Sequence, residues 1–307
     1  MTTPRIDQLA APLAASAGDA SGASATARPA CSIVTRNDAI IEQLSPFVVT
    51  TSANRFALDE APFGLATRWF VDPHHSRWGT FFDLLQRLDA LTFGPEGMPM
   101  DKWVFYNCAE LPGFIYGFAL EAARLSPSER ALMGVPATWT GPVPFSMYIA
   151  IPMHEPGAWF GHNLASLNRT FPHRRFDGLG TITKAIALEA FRVERFYGAT
   201  QWLSNALHIH TRFGPLDLYT AYTPAHSMSE TLTYGFTVTR DKLRHAAGDP
   251  AAPMVYPEPD IALDARDVVG MRALQTRIEA GERFALVGPP STRGQQVVHP
   301  IRSLPPT

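Results

Sequence analysis

A mixed α/β fold, with a central sheet and helices packed on it, is predicted by three observations. Segments with strand-like alternation and segments with helical spacing interleave along the chain instead of falling into separate blocks. Hydrophobic residues make up 46% of the 307 residues and charged ones 18%, enough apolar side chain for a sizeable core. Finally, "RTFPHRRFDGLG" (169–180) places a strand, a glycine-bearing loop and a long amphipathic helix in direct succession.

Residues 1–45 contain "AAPLAASAGDASGASATARPA" and hold few large apolar side chains, so this tail is predicted to be disordered. The main domain is expected over 46–248. Within it, "FGLATRWFV" (63–71) alternates like a strand, and "SRWGTFFDLLQRLDALTFG" carries apolar residues at helical spacing. "KWVFYNCAELPGFIYGFALEA" reads as two strands joined at Pro112–Gly113, and "PFSMYIAIPM" and "HNLASLNRTF" as two more. A helix is predicted to start near Gly178, with an apolar face of Ile182, Ala185, Ile186, Val193, Phe196 and Tyr197. "LDLYTAYTP" is a late strand, "AHSMSETLTYGF" a short helix and "TVTRDKL" a last strand. Residues 249–307 alternate proline clusters with one helical stretch and are expected to form a C-terminal extension.

Composition excludes several classes. A net charge of −2 argues against a nucleic-acid platform, and no polybasic run marks a membrane surface. No apolar run approaches the roughly 18 residues of a membrane-spanning helix. Two cysteines, Cys31 and Cys108, cannot form a disulfide framework, so a cytoplasmic setting is expected. His208 and His210 are two residues apart, without a H-E-x-x-H motif or a cysteine pair, so no metal site is expected. No G-x-S-x-G turn is present for a nucleophilic serine.

The loop at 169–180 carries the functional signal. The first turn of a helix leaves amide N–H groups without partners and gathers partial positive charge. Gly178 and Gly180 remove side chains that would keep an anion from those amides, and Arg175 and Arg174 add charge at the rim. Neither G-x-x-x-x-G-K-[ST] nor G-x-G-x-x-G is present.

Arg175, Gly178 and Gly180, with Pro172 ahead of them, resemble the R-x-x-G-x-G/A acyl-CoA-binding signature of the GNAT acyltransferase superfamily. "TLTYGF" is similar to the Gly-Phe ending of that family's fourth helix. The resemblance spans roughly residues 60–245. It implies a mostly antiparallel central sheet flanked by helices, with acetyl-CoA or another acyl-CoA as co-substrate. Phe176, Asp177, Leu179 and Thr181 complete the implied cofactor loop, and Thr170 and Phe171 hold the acyl unit. Asp177 departs from the pattern by placing a negative charge in that loop.

The implied chemistry is acyl transfer to an amine of a small molecule. His162 is the first candidate for general base, with Glu155 and Glu110 behind it; its ordinary pKa near 6.5 suits proton removal. Tyr234 is the chemically best proton donor, ahead of Ser229 and Thr231. Aromatic residues concentrated in the first half would suit an apolar acceptor. Three alternatives stay open: a malonyl-CoA decarboxylase, acyl transfer to a carrier-protein thiol, and a degenerate binding module.

Overall fold

The computed structural model describes residues 33–55, 58–110, 114–168, 170–171, 173–225 and 228–306. The chain enters through α1 (Asp38–Gln43), β1 (Ser45–Val49) and β2 (Trp69–Val71), then runs through α2 (Gly79–Phe93) and α3 (Lys102–Glu110). Next come β3 (Phe114–Glu121), α4 (Pro127–Met133), β4 (Pro142–Pro152) and β5 (Ala158–Ser166). The loop leads into α5 (Leu179–Ala190), followed by β6 (Arg195–Gln201), α6 (Ala206–His210), β7 (Leu216–Thr220), β8 (Thr231–Thr237) and α7 (Arg240–Ala247). The C-terminal part adds β9 (Ile261–Asp264), α8 (Val268–Glu279), β10 (Arg283–Leu286), β11 (Ser291–Arg293) and β12 (Gln296–Leu304).

Among the described residues these twelve strands form one sheet in the order β11-β12-β10-β7-β8-β6-β5-β4-β3-β1-β2, with β9 on β12. Neighbours are antiparallel except β1 with β2 and β5 with β6. The parallel β5–β6 pair needs a crossover, and α5 supplies it. Helices α5 and α2 lie on opposite faces. Ser146 of β4 shares a 2.7 Å hydrogen bond with Thr183 of α5, while Asn163 of β5 donates to Asp89 of α2 at 2.8 Å. No described helix is long and apolar enough to cross a membrane.

Several segments differ from their sequence reading. Residues 102–110 are helical, because their buried positions Phe105, Cys108 and Ala109 fall at helical spacing despite the aromatic content. The turn expected at Pro112–Gly113 lies outside the described residues. Helix α5 ends at Ala190, so Phe196 and Tyr197 belong to β6. Strand β8 occupies 231–237, where a helix was expected, because Leu232, Tyr234 and Phe236 are buried in strand alternation. The expected last strand at 237–243 gives way to α7, capped by the Thr239 side chain on the Lys242 amide.

The segment boundaries shift at both ends. Ile33, Ile40 and Leu44 are buried, so the described part of the 1–45 tail, from residue 33, packs on the core. The 249–307 region continues the sheet, with β10 pairing β7 through Phe284–Leu218 and Leu286–Leu216. Those pairs satisfy backbone groups that would otherwise leave β7 as an open edge.

Candidate acyl-transfer site

The site starts from two neighbouring strands that part. β5 and β6 pair from Ala158–Arg195 to Gly161–Gly198 and no further. Both strands continue, β5 to Ser166 along β4 and β6 to Gln201 along β8. The backbone groups of β5 that face β6 beyond Gly161 therefore have no strand partner. A register shift on β5 makes His162 the extra residue of a bulge at the mouth of this fork. Glycines at 161 and 198 are required there: a Cβ would stand 2.6 Å from the Tyr148 hydroxyl at one and 2.6 Å from the Tyr234 hydroxyl at the other.

The open end of β5 runs into a cleft of 790 Å³. Its lining includes Ser166, Thr170, Asp177, Gly178, Gly180 and Thr181 from the loop side, and Asn205, His208 and Arg212 from α6 and the turn after it. Gly178 caps α5 at φ +89°, a left-handed conformation that favours glycine. The N-cap position is therefore Gly178 rather than Asp177. The Leu179 amide bonds Phe176 O at 2.9 Å and the Ile182 amide bonds Gly178 O at 2.9 Å. The amides of Gly178, Gly180 and Thr181 have no protein acceptor among the described residues. Gly180 also lets β5 approach, since a Cβ there would lie 3.0 Å from the Ser166 hydroxyl.

A strand, a glycine-bearing loop and the N-terminus of the crossover helix thus occur in the expected order, within the expected mixed α/β, mostly antiparallel sheet flanked by helices.

Beneath the cleft the chemistry changes. Lys184, one turn along α5, is fully buried, with Nζ 2.9 Å from Nδ1 of His210 and no carboxylate partner. It lies 3.7 Å from the centroid of the Phe196 ring and 4.8 Å from that of Phe213. Burial pushes Lys184 well below the usual lysine range. Burial, then the neighbouring Lys184, does the same to His210. Tyr148 and Tyr234 are raised well above 10 by burial, and so stay protonated. The Tyr148 hydroxyl has no hydrogen-bond partner among the described residues.

On the α2 face, Asp89 is wholly buried and accepts from the Met100 amide at 2.6 Å and from Asn163. Desolvation raises its pKa, against the opposing effect of those bonds and of His162. His162 is exposed at the mouth of the fork, yet desolvation by its neighbours lowers its pKa, with Asp89 acting in the opposite sense.

The predicted residues meet different fates. Gly178, Gly180, Thr181, Asp177 and Thr170 all line the cleft. Phe171, Phe176 and Leu179 are buried and shape the loop from below. Thr170 and Phe171 were expected at the strand end, but β5 stops at Ser166, where its pairing with β4 ends at Ser146. Arg175 is exposed, and Arg174 is withdrawn into an ion pair with Glu129 at 2.6 Å. Pro172 lies outside the described residues.

Glu155 pairs with Arg195 at the closed end of the β5–β6 ladder, away from the fork. Glu110 is exposed, 3.8 Å from His74. Thr231 donates to Met228 O at 2.6 Å and Ser229 to Glu230 at 3.2 Å. Tyr234 sits in β8 rather than at a helix end, and is 1% exposed. Asp89, Lys184, Arg36 and Arg212 escaped the sequence reading, and His210 was weighed there only as a metal ligand. No group of three or more potential metal ligands occurs among the described residues.

No protein-family model matches the chain, and no curated protein does. Solved structures do show similarity to part of this chain. The NatC complex bound to Gag peptide and CoA matches at 14% identity and TM-score 0.37, over 54% of this chain and 96% of that one. The ribosomal-protein-S18-alanine N-acetyltransferase from Escherichia coli matches at 10% identity and TM-score 0.35, over 52% and 90%. Aminoglycoside 6'-acetyltransferase type Ii matches at 15% identity and TM-score 0.34, over 52% and 90%.

Proposed function

We propose that the protein is an acyl-CoA-dependent acyltransferase that passes the acyl group to an amine of a small molecule by direct attack on the thioester. One observation carries this reading: the β5–β6 ladder opens at Gly161–Gly198 and leads into a cleft floored by the open amides of α5. The residues fit an acyl-CoA. The amides of Gly178, Gly180 and Thr181 suit a diphosphate, with the positive end of the α5 dipole behind them. The unpaired backbone of β5 over 162–166 suits the amide groups of an extended pantetheine arm, which would lie along it as a partial strand.

We assign the reacting groups to the fork. The amine nitrogen bonds to the acyl carbon as the carbon–sulfur bond breaks. His162, largely neutral at pH 7 because its pKa is lowered, accepts the ammonium proton. Tyr234, protonated at any neutral pH, supplies a proton to the departing thiolate from its place against Gly198, and the second proton leaving the amine nitrogen replaces it as the amide forms. Glu155 takes no part in this scheme, since its carboxylate is engaged at the closed end of the ladder.

The test is calorimetric titration of acetyl-CoA, followed by thiol release against a panel of amines. Submicromolar to micromolar binding with amine-dependent thiol release is expected. Absence of binding by any acyl-CoA would overturn the reading.

A further inference from the structure

We propose that Arg36, carried by an N-terminal strap over residues 33–37, is a phosphate-binding residue of this cleft, supplying positive charge from outside the glycine loop. This inference rests on the acyl-CoA reading and assigns it a residue from outside the loop motif.

The charge around the cleft is the starting point. Among the loop's described ionisable residues, Arg174 is tied to Glu129, His173 and Arg175 are exposed and do not line the cleft, and Asp177 does. A ligand whose diphosphate and ribose phosphate are anionic calls for positive charge at that cleft. The arginines that do line the cleft are Arg36 and Arg212. Arg212 follows α6 and bonds His208 O at 3.3 Å, whereas Arg36 arrives from a part of the chain some 140 residues upstream of the loop.

The strap is built into the site. Ile33 and Thr35 are buried, and the Arg36 amide donates to Ala247 O at 3.0 Å, at the end of α7. One guanidinium nitrogen donates to Ala246 O. Asn37 donates from Nδ2 to the carbonyls of Arg175 at 3.1 Å and Asp177 at 3.4 Å, so the strap holds the loop on its carbonyl side. The stem of Arg36 fills the space a side chain at Gly178 would take, with Cδ 2.7 Å from that Cβ position. Gly178 therefore makes room for the arginine as well as for an anion. A guanidinium has five N–H donors, so the bond to Ala246 leaves most of them for a phosphate.

The experiment compares wild type, Arg36→Gln and Arg36→Lys by calorimetry with acetyl-CoA and dephospho-CoA over a salt series, alongside melting curves without ligand. Arg36→Gln is expected to weaken acetyl-CoA roughly 10- to 100-fold and to flatten the salt dependence. Arg36→Lys should recover part of the loss, and the unliganded melting temperature should stay within about two degrees of wild type. A loss seen only with acetyl-CoA places Arg36 on the ribose phosphate; an equal loss with both ligands places it on the diphosphate. Either outcome supports the inference. Unchanged affinity and salt dependence in Arg36→Gln overturns it. If wild type binds no CoA ester, the acyltransferase reading falls by itself, and inorganic pyrophosphate becomes the probe. Binding of pyrophosphate to wild type but not to Arg36→Gln would keep the anion site, and binding to neither would remove it.

Discussion

Two successive turns of α5 treat polar groups in opposite ways. In the first, Gly178, Gly180 and Thr181 leave amides open beside a cleft. In the second, Lys184 is sealed among aromatic rings, with His210 its only polar partner at hydrogen-bonding distance among the described residues. The first turn keeps its polarity for a ligand. The second has driven its ionisable groups towards their neutral forms by excluding water. The helix that binds is thus anchored by a layer whose charge is suppressed, and changes in the two layers should register in different measurements.

The largest expected effect lies at neither turn but at the β5 bulge. His162→Gln should leave acetyl-CoA affinity unchanged and cut turnover roughly 10²- to 10⁴-fold, the usual range for a general base. The sign of the pH dependence follows from the lowered pKa: wild-type kcat/KM should hold at neutral pH and fall as pH drops through a value below 6.5. Unchanged turnover would move the search to Asp89, the buried carboxylate beside it.

In the first turn, Gly178→Val should abolish acetyl-CoA binding, a loss of about 100-fold or more, while costing about 1–3 kcal/mol of stability for a left-handed valine. The new side chain would meet both the ligand path and the Arg36 stem. Normal binding by a folded variant would show that the loop is a turn and nothing more.

The second turn should behave the other way. Lys184→Met removes a buried amine without a carboxylate partner, and should raise stability by about 1–2 kcal/mol with acetyl-CoA affinity unchanged. For a lysine whose folded pKa lies below its unfolded value near 10.5, the unfolded chain binds more protons, so wild-type stability should climb as pH rises towards 10.5. The methionine variant should lose that climb, as followed by urea unfolding between pH 7 and 10. If it retains the climb, Lys184 is charged in the fold.

The smallest effect is expected at the acid of the first turn. Asp177→Lys replaces a negative charge at the cleft by a positive one and should tighten acetyl-CoA by a few-fold, less at high salt. Weaker binding would mean that Asp177 organises the loop rather than opposing the ligand.

The loop and its helix were legible in the sequence because their signals are local. Glycines at 178 and 180 and a long apolar run need no distant partner to be interpreted. Strand β8 and helix α3 were misread for a shared reason: short aromatic segments suit either element, and burial on one face decides between them. Lys184 was invisible because a lysine inside an amphipathic helix reads as a solvated side chain until α7 and the sheet enclose that turn.

The sequence by itself determined the α/β class, the order of strand, glycine loop and helix leading into α5, and the residue types that could move protons. Each follows from composition, periodicity or neighbours within one turn. Tertiary structure alone decided that β5 and β6 part after Gly161 and Gly198, that Arg36 reaches the cleft, that Glu155 is spent on Arg195, and that His162 shares its end of the sheet with Asp89. Those outcomes depend on pairing between residues tens to hundreds of positions apart. Register and burial set such pairing, and neither exists until the chain has closed on itself.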